Sequence, residues 1–190
     1  MSEAKKESMG MLALVLFLIT FITALLLAFV NQATAPVIAK NNAATRAAAM
    51  AEIIPDVEFE QLESPAPSED KNVPTIDNVY AAVSGGETVG WCMEVYPTGF
   101  GGTLTVVVGV NADGTIAGAK VTKHGETPGL GAKSQSDANW IKQYAGMAAD
   151  GSLAVTKDGG SVTPITGATI TSRAVTLAVN TAATYAAGLA

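Results

Sequence analysis

Charge disappears from the chain between Met9 and Val30, where only Thr20 and Thr23 interrupt the apolar run with hydroxyls. About 22 residues at roughly 1.5 Å rise each cross a bilayer core of about 30 Å, so this segment predicts a transmembrane helix. It has no polar stripe of the kind an interfacial helix requires. From Thr34 to Ile54 the chain is Ala-rich and strongly helix-forming, with Pro36 placed in a first turn. That predicts a helical stalk ending before Pro55. Asp56 to Pro74 then gathers Asp56, Glu58, Glu60, Glu63, Glu69 and Asp70 around Pro65 and Pro67, and reads as an irregular acidic linker.

From Asn78 the pattern becomes that of strands. Val79 to Val83, the Gly85-Gly86 turn and Thr88 to Tyr96 predict one hairpin. Leu104 to Val110, the Ala112-Asp113-Gly114 turn and Thr115 to Val121 predict a second. Ser136-Asp137 suits the cap of a short helix over Ala138 to Ala145. Ser152 to Thr156 and Ser161 to Ile165 read as short edge strands, and a last helix runs to Ala190 with Ala and Val on one side. Strands in runs with helices set apart predict an α+β domain on a mixed or antiparallel sheet, not a Rossmann array. The expected order is a cytoplasmic tail at 1–8, a transmembrane helix at 9–30, stalk and linker at 31–77, and a folded domain at 78–190.

Ala33-Thr34-Ala35 has the look of a signal-peptide cleavage site, but the apolar run exceeds the usual signal core and Pro36 would follow the cut, so a retained anchor is expected. Lys5 and Lys6 lie beside Glu3 and Glu7, and Lys40 and Arg46 follow the span, so the charge rule pushes orientation only faintly. Seventeen acids against eleven bases give a net charge of −6, with the excess beyond the span. That balance argues against nucleic acid and anionic headgroups as partners. One cysteine, Cys92, and one histidine, His124, exclude an internal disulfide and make a thiolate or histidine metal site unexpected. Cys92 reads as buried and inert, His124 as a lone surface residue, and Trp91, Trp140 and Tyr144 as core or interface.

The candidate chemistry lies in Thr166-Gly167-Ala168-Thr169-Ile170-Thr171-Ser172. If a helix starts here, Thr169 to Ser172 occupy its first turn, where free N–H groups and the positive dipole end favour a phosphate. Thr166 and Thr169 are equally suited to be simple helix caps. Gly167 and Ala168 keep the approach small, and Thr171 and Ser172 each have a hydroxyl to offer. Glu126-Thr127-Pro128-Gly129-Leu130-Gly131-Ala132-Lys133 reads as a tight turn whose glycines admit a close backbone approach. By itself this segment is an ordinary Gly/Pro loop carrying Leu130 and Lys133.

The Thr166–Thr169 stretch resembles the S/T-G-A-T flavinylation motif of the FMN-binding domain family. Glu126 to Gly131 resembles the E-T-P-G-L-G segment of that family, and Thr98-Gly99-Phe100-Gly101-Gly102 resembles its G-Y-G-G turn, with Phe100 where Tyr is common. The three occur in family order over roughly Asn78 to Ala190, behind an anchor. Within the family the likeness is to the G subunits of Rnf-type ion-translocating ferredoxin:NAD oxidoreductases; the alternatives are the C subunits of sodium-translocating NADH:quinone oxidoreductases and a flavin carrier of another extracytoplasmic reductase chain. The resemblance implies FMN esterified through its phosphate to Thr169, with Gly99, Phe100 and the 126–133 loop against the ring, Leu130 over a ring face and Lys133 beside the negative charge of the reduced flavin. It implies an electron carrier without a reaction of its own, partner membrane and peripheral subunits, a flavin transferase, and a single-pass protein with its N-terminus inside and its domain outside the cytoplasmic membrane. An acid such as Asp158 often precedes the motif in the family, but here it stands too far from Thr169 to be counted. The contrasting reading is an anchored domain that binds a phosphate ligand or a partner protein without covalent flavin.

Overall fold

The computed structural model describes residues 9–70 and 72–190. The expected tail at 1–8 lies outside the described residues. Helix α1, Met9–Ile53, is one continuous element of 45 residues, long and apolar enough to cross a membrane. Pro36, expected in the first turn of the stalk, lies inside it. An internal proline forfeits one ladder bond and costs about 3 kcal/mol. The long helix-forming sequence on either side carries that cost. The chain divides into two compact units, one up to Ala44 and one from Thr45.

The second unit is built on a five-stranded antiparallel meander: β1 (Glu58–Gln61), β2 (Thr75–Ser84), β3 (Glu87–Tyr96), β4 (Thr105–Asn111) and β5 (Ile116–Lys123), in chain order. Alternation along each strand serves two faces. On β3, Trp91, Met93 and Val95 join the main core with Val106, Val108 and Val110 of β4. Helix α4, Thr169–Ala186, closes that core with Val175, Ala178, Val179 and Ala182. Cys92 and Val107 point to the other face, under Ala49, Met50 and Ile54 from the end of α1. Gly109 makes this second approach possible, because a Cβ there would overlap the Ile53 side chain.

The β2–β5 hairpins follow the sequence pattern. Two segments do not. The acidic stretch supplies an edge strand, β1, paired with β2 from Glu58↔Val83 to Gln61↔Tyr80. Phe59 packs on the α1 side and Leu62 on the α4 side, while Glu58 and Glu60 stay exposed. Charges on an outer strand discourage further pairing, so acidity here is compatible with a sheet edge. The expected strands at 152–156 and 161–165 reduce to one parallel bridge, Val155↔Val162. Both valines are core plugs, which explains an apolar pattern that resembles strand alternation. Between β5 and α4 lie α2 (Lys133–Ser136), α3 (Ala138–Ile141) and a 3-10 turn at Lys142–Tyr144. Asp137 caps α3 as expected, accepting from the N–H groups of Asn139 at 3.0 Å and Trp140 at 3.2 Å.

One buried acid fixes the last turns of α1 to the sheet. Glu94 on β3 is 5% exposed, and its Oε2 accepts from Arg46 Nη1 at 2.9 Å and Asn78 Nδ2 at 2.8 Å. Asn78 stands at a bulge in β2 with φ of 49°, a left-handed conformation that asparagine tolerates. The Arg46 guanidinium lies 5.7 Å from the Tyr80 ring centre. Burial, helped by the Glu94 charge, pushes the Tyr96 phenol up to about 12, so it remains a donor to Glu94. Burial also pushes the Cys92 thiol to about 12, which leaves it unreactive. Replacing Glu94 with Ala strands Arg46 and Asn78 and is expected to cost roughly 3 kcal/mol, as for other broken buried pairs. Urea unfolding of the full chain in micelles checks this. A loss below about 1 kcal/mol would mean that water screens the pair as it does a surface one.

Candidate functional site

Strands β3 and β5 end on the same edge of the sheet, so the loops that leave them lie side by side. The first loop, 97–104, is closed by the Thr98↔Thr103 bridge and by the Gly99 N–H donating to Gly102 O at 2.8 Å. It meets the second loop, 124–132, backbone to backbone: a Cβ on Gly101 would overlap the carbonyl of Gly125. In the second loop Thr127 O accepts from the N–H groups of Leu130 and Ala132, both at 3.2 Å, which makes the expected tight turn.

Glu126 joins these loops to the start of α4. It is 6% exposed. Its Oε1 accepts the Gly101 N–H at 3.0 Å, its Oε2 accepts the Thr171 hydroxyl at 2.6 Å, and its own N–H donates to His124 Nδ1 at 3.1 Å. The carboxylate fits because the positions around it are glycine. A Cβ on Gly99 would overlap Oε1, and one on Gly131 would overlap Oε2 and stand 2.6 Å from Thr171 Oγ1. Gly99 and Gly131 thus make room for Glu126.

Helix α4 starts without a side-chain cap, and its N-cap position is Ala168. Neither Thr166 nor Thr169 caps it. The first intrahelical bond runs from Ser172 N–H to Ala168 O at 3.0 Å, so the N–H groups of the first turn remain available to a ligand. They open on a cavity of about 320 Å³ lined by Phe100, Glu126, Thr127, Leu130, Gly131 and residues 167–171. That volume falls at the low end of small-molecule and cofactor sites, roughly 300–1,000 Å³. Phe100, Leu130 and Ile170 form an apolar rim, 70%, 44% and 51% exposed. Thr169 Oγ1, partly exposed within the lining, accepts from Lys157 Nζ at 3.0 Å. An apolar slot ending in free N–H groups and a hydroxyl, with the Lys157 ammonium bonded to that hydroxyl from outside the lining, suits a flat ring that bears a phosphate. A larger groove of about 630 Å³ lies along the other half of α4, but no charged side chain among the described residues lines it.

Of the residues expected from the sequence, nine line the one cavity: Phe100, Glu126, Thr127, Leu130, Gly131, Gly167, Ala168, Thr169 and Thr171. Gly99, Pro128, Gly129, Thr166, Ser172 and Lys133 do not. Gly129 (φ 76°) shapes the turn, and Lys133 lies outside the lining as the exposed first residue of α2. Two expected phosphate donors are otherwise committed. The Thr171 hydroxyl belongs to Glu126. Buried Ser172 donates to Ala168 O at 3.0 Å and accepts from Ile165 N–H at 2.9 Å, which leaves no proton for a ligand. The cation at Thr169 is Lys157, not Lys133. Asp158, set aside in the sequence, accepts a bidentate pair from Arg173, Nε at 2.7 Å and Nη2 at 2.6 Å. Arg173 stands four residues after Thr169, a spacing that already placed it on the face of α4 that carries Thr169.

An FMN-binding domain model matches residues 99–184, a span that takes in the first loop from Gly99, the whole second loop and the start of α4, and an RnfG N-terminal region model matches residues 1–53. The chain is 39% identical over 184 residues to the G subunit of the Na(+)-translocating ferredoxin:NAD(+) oxidoreductase complex of Acetobacterium woodii, covering 89% of this chain and 87% of that one. This chain belongs to the family of G subunits of ion-translocating oxidoreductase complexes. The corresponding G subunit of the ion-translocating oxidoreductase complex of Cereibacter sphaeroides is 36% identical over 180 residues, 90% of this chain and 80% of its own. That of Escherichia coli is 43% identical over a shorter 114 residues, 57% of this chain and 55% of its own. The resemblance read from the three motifs and the α+β class both hold, with the sheet wholly antiparallel.

Within this G-subunit site, Glu126→Ala removes the acceptor of the buried Thr171 hydroxyl and of the part-buried Gly101 N–H, each worth about 1.5–3 kcal/mol when its partner is charged. A stability loss of roughly 3 kcal/mol in thermal unfolding is expected. Glu126→Gln, which still accepts from Gly101 and can donate to Thr171, is expected to lose less than half of that. Equal losses for the two variants would show that shape alone, not the paired acceptor, holds the loops.

Proposed function

We propose that the domain carries FMN as a phosphoester on Thr169 Oγ and serves as an electron-transfer subunit of an ion-translocating ferredoxin:NAD oxidoreductase. The observation that carries this reading is the Thr169 hydroxyl, presented to the cavity on an uncapped helix start beside an ammonium. The residues present fit the group. Gly167, with φ of 78°, and Ala168 keep side chains out of the phosphate's approach, and the first-turn N–H groups of α4 receive its oxygens. Leu130 and Phe100 offer apolar surface to the ring, while Glu126 holds their loops together. The turn at Thr127 uses the N–H groups of Leu130 and Ala132, which leaves that of Gly131, in the cavity lining, for a ring edge. Bound FMN would supply one- and two-electron redox chemistry that no side chain here has.

Formally, the ester is Thr169 and FMN joined with loss of one water, a bond made by a flavin transferase. The relatives' names place them in multisubunit complexes, so the donor and acceptor of electrons would be neighbouring subunits. The short N-terminal segment before α1 would remain in the cytoplasm and the domain would face the outside.

The test uses protein purified from its own membranes and denatured in detergent. The band is expected to fluoresce as a flavin and to weigh one FMN less one water above the bare chain. Thr169→Ala is expected to abolish both. A dark band of unmodified mass, from cells with an active transferase, favours a non-covalent phosphate-binding domain instead. For sidedness, protease added to intact spheroplasts is expected to remove the fluorescent band, and its survival would place the domain inside.

A further inference from the structure

Lys157 and Asp158 occupy a 3-10 turn, Thr156–Asp158, that reaches α4 with two consecutive side chains. The turn is held from below. Val155 and Val162 are buried and bridged, Thr156 N–H donates to Val162 O at 2.8 Å, and Val162 N–H donates to Ala154 O at 3.0 Å. From this base Lys157 meets Thr169, and Asp158 takes both guanidinium bonds of Arg173. Thr169 and Arg173 are stacked one turn apart on α4, so the two side chains grip successive turns of one helix face. The Arg173–Asp158 pair is exposed and adds little stability. Its planar fork, however, fixes direction.

The pair also settles the charge beside Thr169. Arg173 neutralises Asp158, while Lys157 makes no ion pair among the described residues. Among the described residues its ammonium hydrogen-bonds a neutral hydroxyl, that of Thr169. The positive end of α4 is meanwhile shared with an acid, because Glu126 already bonds Thr171 in the first turn. A phosphate at Thr169 would therefore meet a helix start with one negative group in place, and needs a cation of its own.

We propose that Lys157 is a positioning residue for the flavin phosphate: its ammonium orients the Thr169 oxygen towards the cavity and balances the charge of the phosphodiester, with the Asp158–Arg173 pair holding it in register. This rests on the reading of Thr169 as the attachment point. Lys157 itself makes and breaks no bond.

The experiment co-produces the full-length chain with its flavin transferase and follows the flavinylated fraction over time by intact mass. Lys157→Met is expected to slow incorporation about tenfold, the scale of a lost charge-assisted hydrogen bond. Its melting temperature should stay unchanged, as for an exposed side chain. Lys157→Arg, which keeps the charge, is expected to restore most of the rate, and Asp158→Asn to fall between. A wild-type rate in Lys157→Met, or a rate in Lys157→Arg as low as in Lys157→Met, overturns the role of Lys157. Loss of all flavin in Thr169→Ala would still uphold the attachment point in that case. A wild-type chain that takes up no flavin overturns both.

Discussion

The site depends on one carboxylate in a ring of glycines. Among the described residues Glu126 makes no ion pair; its carboxylate accepts from the Gly101 N–H and from the Thr171 hydroxyl in the first turn of α4. A shorter acid could not reach both loop and helix from the same backbone position. A bulkier neighbour at 99 or 131 would fill the space that the carboxylate needs. Each glycine weakens its own segment by roughly 0.5–1 kcal/mol in conformational freedom. One buried and one part-buried bond to the carboxylate outweigh that cost. The glycines of two separate motifs are therefore parts of a single device, the seat of Glu126.

The sheet connects this device to the rest of the unit. Its two faces have separate tasks, set by alternation on β3. Trp91, Met93 and Val95 seat the helix that presents Thr169. Cys92 and Glu94 face the final turns of α1, where Arg46 enters the Glu94 cluster and Ile53 lies over Gly109. The same strands thus fix the entry of the chain from α1 and the start of α4. A shift of β3 by one residue would exchange the faces and bury Glu94 under α4, so register is strongly specified. The bulge at Asn78 adds a second specification, because the amide reaches Glu94 only from that kinked backbone.

Much of this is legible in the order of the residues. The hairpins announce themselves by alternation and Gly turns, the anchor by its lack of charge, and the site by three short motifs. What the order hides is the direction of side chains. Thr171 and Ser172 look like ligand hydroxyls when the motif is read as a string. On a helix they belong with Val175, Ala178, Val179 and Ala182, the stripe that enters the core, whereas Ile170, Arg173 and Leu177 lie on the exposed side. A helical wheel over the segment from Thr169 separates the two groups by spacing alone. Lys157 cannot be found that way. Its place depends on a loop closed by two buried valines, and the sequence makes those resemble strands.

On the proposed reading, the form of the cavity explains why a covalent bond suits this subunit. Deep cofactor pockets enclose about 70–90% or more of their ligand and hold it by shape and many polar contacts. Here the rim residues Phe100, Leu130 and Ile170 remain about half exposed or more, and the polar groups are gathered at one end, around Thr169. Such a slot would grip the phosphate firmly and the ring weakly. An ester at the phosphate secures the well-held end and leaves the ring edge open towards solvent or a neighbouring subunit. Electron transfer needs that open edge, and retention of the cofactor needs the bond. A deeper pocket would serve retention alone and would bury the edge through which electrons must pass.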